Sequence, residues 1–249
     1  MRSSNPALSD KAFYNPVLSG SERMTLQGTV NKSLVLIGLV MICAFFSWQS
    51  AYPSGWSADS SPQIAGWYFP VIIGALIISF VIIFKRTWAP FLAPVYAILE
   101  GAALGAISAI FESRYPGVVM QAVFCTFGTF FALLLAYKSG VIRATENFKL
   151  GVVAATGGIA IVYLIDMVLR MFGTNIPYIH ENGVLGIGVS LFVTVIAALN
   201  LVMDFDFIEK GAEQGAPKYM EWYAAFGLLV TLIWLYMEFL RLLGKTRRN

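Results

Sequence analysis

The stretch "VLGIGVSLFVTVIAALNLVMDFDFIEKG", Val184 to Gly211, decides what kind of protein this is. From Val184 to Met203 it carries no charged residue. A bilayer core needs about 20 apolar residues per helix, so this run is long enough to cross a membrane. It then ends on Asp204, Asp206, Glu209 and Lys210. Two aspartates at the edge of an apolar crossing call for a physical reason, and the rest of the chain supplies the setting.

The same window finds six further runs, near Ser33–Ser50, Ile64–Phe84, Pro90–Ile110, Val118–Tyr137, Leu150–Phe172 and Tyr223–Leu243. Composition agrees: of 249 residues 58% are hydrophobic and 12% charged, about half the charged share of a soluble domain. The predicted fold class is an all-α integral membrane protein, a seven-helix bundle over residues 32–249. Residues 1–31 read as a flexible polar tail, rich in Ser, Asn, Pro and Gly, with a weak echo between "NPAL" at Asn5–Leu8 and "NPVL" at Asn15–Leu18. The tail lacks the apolar core of a cleavable signal peptide. Trp48, Trp56, Trp67, Tyr68, Trp88, Trp222 and Tyr223 fall near the proposed helix ends, as an aromatic belt would.

Basic residues give orientation. Arg2, Lys11, Arg23 and Lys32 lie in the tail, and Lys85, Arg86, Lys138, Arg143, Lys149, Lys210 and Lys218 in the even-numbered loops. Placing these inside predicts a cytoplasmic amino terminus. Seven crossings then put Arg241, Lys245, Arg247 and Arg248 outside, against the rule; either the rule is broken at the last helix or one segment does not fully span. In a membrane protein, basic residues of this kind serve topology, and no nucleic-acid partner is expected.

Ionisable side chains at bilayer depth are costly and need a reason. Here they are all acidic: Glu100, Asp166, Asp204 with Asp206, and Glu238. Asp166 and Arg170 are four apart and Glu238 and Arg241 three apart, so both acids read as structural ion pairs. Asp206 lies four before Lys210 and reads the same way. Glu100 has no basic neighbour on its own helix, which leaves a cross-helix hydrogen bond or a role on an ion path. Small residues around it, "GAALGA", suit close helix approach. Asp204 follows Asn200 by one turn and shares its face. It has no local partner and opposes the helix dipole, which makes it the strongest functional candidate.

The segment "LVMDFDFI" resembles the "YDTQxI" element on the sixth helix of the transmembrane Bax-inhibitor family. "MTLQGTVNKS" and "GAPKYMEWYAAFGLLVTLIWLYMEFLRLL" resemble its bacterial branch. The resemblance implies a calcium leak influenced by protons, in which an aspartate on helix six shares a hydrogen bond with one on helix seven. Asp204 takes the place of the first. Asp206 falls where the glutamine usually stands. Aligning Ala224-Ala225 and Leu240-Arg241 without a gap puts Thr231 at the place of the second aspartate, so the paired latch is not reproduced. Asp206 after local unwinding, or Glu100 from the third helix, are the alternatives for a second carboxylate. The ion path expected on this basis comprises Asp204, Asp206, Glu100, Asn200 and Thr231, with calcium as a hard cation suited to the Asp204 oxygens. No cofactor is expected.

A second reading is a membrane regulator, since relatives include a modulator of a membrane-bound ATP-dependent protease that is engaged through its tail. An enzyme is not expected. "GIG" at Gly186–Gly188 is followed by Val189 rather than the aspartate of a GxGD protease, and His180, the one histidine, leaves no HExxH site.

Overall fold

A computed structural model describes residues 23–57, 61–64, 66–174 and 183–247. Most of the amino-terminal tail, its Asn-Pro echo and His180 lie outside the described residues. Among these residues seven α-helices follow in order: α1 Leu26–Ala51, α2 Tyr68–Phe84, α3 Ala89–Arg114, α4 Val118–Lys138, α5 Glu146–Met171, α6 Val184–Glu213 and α7 Met220–Thr246. Six are long and apolar enough to cross a membrane, while α2 is shorter at 17 residues. At 1.5 Å per residue α2 still spans about 25 Å, the lower end of what a crossing requires. Large apolar side chains lie on the outside, among them Phe69, Phe91, Phe124 and Leu150. Hydrocarbon, not water, is the solvent that suits them.

The first helix begins earlier than the apolar run suggests. Residues 23–31, assigned to the tail by their polarity, belong to the bundle. Thr25 caps α1 by accepting from the Gly28 amide at 2.9 Å, and its own N–H and hydroxyl donate to Glu221 Oε1 of α7, each at 2.9 Å. Lys32 forms an ion pair with Glu221 Oε2, and Lys218 Nζ lies 3.6 Å from Oε1. Met24 donates its amide to Ala216 O at 2.7 Å, and its sulfur packs at Gly211. The start of the first helix is thus fastened to the start of the last.

Helix packing settles the number of crossings. Along α1 and α3, Gly101 meets Val40, Gly105 meets Ala44 and Ser47, and the Tyr52 hydroxyl donates to Ala109 O at 2.8 Å. Contacts that advance together along both chains mean parallel helices. α3 therefore starts on the face where α1 starts, and α2 must cross to bring the chain back. Arg86, just after α2, stacks over Tyr223 at the start of α7 on that same face. All seven helices cross, and the two ends of the bundle lie on opposite faces.

Three of the four basic residues that break the orientation rule have local partners, and the fourth, Arg248, lies outside the described residues. Arg241 pairs with Glu238 at 2.8 Å, Lys245 donates to Gly186 O at 3.0 Å and Ser190 Oγ at 2.8 Å, and Arg247 donates to Pro116 O. They fasten α7 to α6 and to the α3–α4 turn. Their job at that end is packing rather than topology.

The "GAALGA" motif lies inside this bundle. A Cβ on Gly101 would come within 2.6 Å of Val40 O, and one on Gly105 within 2.3 Å of Ala44 O. Only hydrogen lets the α1 and α3 backbones approach so closely. "GVVAATGG" on α5 differs: Gly151, Gly157 and Gly158 face open space.

Candidate functional site

α6 and α7 pack against each other through Ala197, Leu201, Phe205, Leu228, Leu232 and Leu235, all buried. Asp204 interrupts this apolar seam. It lies nine residues before the end of α6, and Thr231 eleven after the start of α7. By helical rise both sit roughly 14–17 Å inside the face where the chain starts. Thr231 is the polar neighbour of the Asp204 carboxyl on α7, and its hydroxyl donates to Gly227 O at 3.3 Å. Thr231 is buried, and Asp204 Oδ2 is shut off from the surroundings with no hydrogen-bond partner. Thr231, the residue aligned with the second aspartate, is thus the α7 side chain beside Asp204.

The other residues expected on the path divide. α6 runs unbroken from Val184 to Glu213, so Asp206 does not swing round to join Asp204. Asp206 Oδ2 lies 2.9 Å from Lys149 of α5 and 2.9 Å from Lys210. The local Lys210 pair was legible from spacing; Lys149, far away in sequence, was not. Asn200 shares a face with Asp204 along the helix but turns its amide to α5, donating to Thr156 Oγ1 at 2.8 Å as well as to Ile196 O. Glu100 sits on α3, half-buried, with Tyr68 and Tyr96 as its electrostatic neighbours. The structure brings Asp204 and Thr231 together and leaves Asp206, Asn200 and Glu100 with other neighbours.

Both predicted ion pairs are present. Asp166 lies 2.9 Å from Arg170, and Glu238 2.8 Å from Arg241. Glu238 is drawn further into the bundle than spacing suggests: Tyr163 of α5 and Trp234 also donate to its Oε1, each at 3.3 Å. Two acids passed over in sequence have structural duties. Glu221 is the clamp described above, and Glu112 accepts the amides of Gly117 and Val119 at the start of α4.

Among the described residues no three Asp, Glu, His or Cys side chains gather at one point. Asp204 therefore stands as a single carboxylate beside a hydroxyl. One carboxylate and one hydroxyl offer a hard cation too few oxygens to hold it tightly. A separate cavity of about 470 Å³ between α1, α3, α4 and α7 is lined mainly by apolar side chains such as Phe45, Leu104, Val123 and Phe127. Neither Asp204 nor Thr231 lines it.

A comparison with curated proteins and another with solved structures each found no match. A family model described as Bax inhibitor 1 like matches residues 5–248. With nearly the whole chain covered, and with seven crossing helices and an aspartate at the expected place on the sixth, this protein belongs to the Bax inhibitor 1 like family.

Proposed function

We propose that this protein is a calcium-permeable cation leak of the bacterial inner membrane, with its amino terminus in the cytoplasm and Asp204 on the path. The observation that carries the reading is the Asp204 carboxyl. It lies at bilayer depth in the α6–α7 seam, one oxygen buried without a donor, against a hydroxyl in place of a second acid. A buried acceptor without a partner is costly, and a cation in transit is a partner that would offset the cost. The cytoplasmic assignment rests on Lys32, Lys85, Arg86, Lys138, Arg143, Lys149, Lys210 and Lys218, which share the face of the chain's start.

The test is calcium entry into proteoliposomes holding wild type, Asp204→Asn or Thr231→Asp. Asp204→Asn should lower entry by about tenfold, the scale of one charge-assisted contact. Thr231→Asp restores two facing carboxylates. Such a pair shares a proton and titrates as a unit, so this variant should respond to pH more steeply than wild type. Wild-type entry no faster than in empty liposomes at any pH would overturn the leak.

One observation favours a second reading, a membrane regulator that engages a membrane-bound protease through its tail. Residues Arg23 and Met24, where the tail joins α1, are bonded to the α6–α7 loop at Pro217 and Ala216. A partner bound to the tail would therefore act directly on that loop. Asp204→Asn separates the readings, because it alters flux in the first and leaves protease modulation intact in the second.

A further inference from the structure

Among the described residues two buried side-chain polar atoms have no hydrogen-bond partner, and both are carboxylate oxygens: Asp204 Oδ2 and Glu238 Oε2. The first belongs to the path proposed above. The second lies on a side chain only 1% exposed, on a residue that sequence spacing assigns to a simple ion pair. The pairing is real but uses one oxygen. Oε1 receives Arg241 at 2.8 Å, Trp234 Nε1 at 3.3 Å and Tyr163 Oη at 3.3 Å. Three donors on one oxygen fix the carboxyl plane and leave Oε2 held in place with nothing to accept.

Its position matters as much as its isolation. Thr231, which faces Asp204, and Glu238 are seven residues apart on α7, two turns and about 10.5 Å along one side of the helix. Buried hydroxyls continue the line on α6 at Thr194 and Ser190. Between the two levels stands Trp234, which packs against both the Leu228–Leu232–Leu235 cluster and the Val193–Ile196 cluster. At the far end are two cations. Lys245 is bonded to Gly186 O and Ser190 Oγ, and the Arg241 guanidinium rests over the Tyr163 ring, 5.2 Å from its centroid.

We infer that Glu238 is a second cation-ligating station on the same path, two turns beyond Asp204, for a divalent cation that has shed part of its water. Trp234 is the apolar partition between the stations. Arg241 is a tethered cation that neutralises Glu238 when no mobile ion is present and yields to one that arrives. This inference rests on the leak reading of the α6–α7 seam and adds to it a residue that sets selectivity.

The experiment measures calcium and potassium entry side by side in proteoliposomes of wild type and Glu238→Gln. Glutamine keeps the size and an oxygen for Arg241, Trp234 and Tyr163, and removes the charge. Calcium entry should fall by about tenfold, one charged ligand's worth, while potassium entry persists. A purely structural role would leave the calcium-to-potassium ratio unchanged, and that result overturns the inference. A second measurement needs no variant: wild type is labelled with dicyclohexylcarbodiimide, a carboxyl reagent that enters hydrocarbon, and the modified peptides are identified by mass. Calcium at about 1 mM, the weak end of protein calcium sites, should protect both Asp204 and Glu238. Protection of Asp204 alone would overturn the second station and keep the leak. No protection of either, with no wild-type flux, would overturn both.

Discussion

Gly28 has no side chain because Glu221 fills its place. A Cβ there would lie 2.1 Å from Glu221 Oε1. That carboxyl cannot simply step aside, since Thr25 and Lys32 are both bonded to it. Gly28→Ala should therefore cost about 1–3 kcal/mol, the penalty for disturbing a buried hydrogen-bonded group, read as a lower melting temperature in detergent. Sequence reading could not reach this contact, because its two halves stand at opposite ends of the chain. It did reach Asp204, Thr231, Asp166–Arg170 and Glu238–Arg241. Each of those was legible through a local spacing or a family register. Lys149 on Asp206, Thr156 on Asn200 and Tyr163 on Glu238 were not, since all three are contacts between helices.

At the scale of the helix, the bundle is unequal in its fastening. α1 and α3 touch backbone to backbone at Gly101 and Gly105, and a side chain at Gly105 would meet Ala44 O at 2.3 Å. Backbone cannot yield there. Gly105→Ala should destabilise the protein by about 1–3 kcal/mol through overpacking, measured by thermal unfolding in detergent. α5 is held more lightly. Its bonds to α6 include Asn200–Thr156 and Lys149–Asp206, and its glycines face open space. Asn200→Ala should cost about 0.6–1.7 kcal/mol, the range for interhelical hydrogen bonds in membranes, and speed amide exchange in α5 ahead of α1 and α3. Apolar runs located all seven helices to within a few residues except at two ends: α6 runs ten residues past Met203 to Glu213, and polar residues start α1. There the cap at Thr25 and the Glu221 clamp, rather than hydropathy, decide where the helix begins.

For the molecule as a whole, the odd number of crossings puts the start of α1 and the end of α7 in different compartments. A reporter enzyme active only in the cytoplasm should work when fused before Arg23 and fail when fused after Arg247. Activity at both ends would mean that α2 does not cross. Loop charges alone left this open, because the basic carboxyl end argues for an even number of crossings. Parallel packing of α1 on α3 and the partners of Arg241, Lys245 and Arg247 resolve it.

The clamp between α1 and α7 also sets an order in time. Thr25 waits for a partner that lies 196 residues later in the chain. At ~5–20 residues per second of synthesis, that wait is roughly 10–40 s. Through it, α1 and α3 can already be joined at their glycines, while Lys32 and the cap of α1 stay unanswered. A chain that stops before Met220 never receives Glu221, so the arrival of the last helix is what closes the bundle.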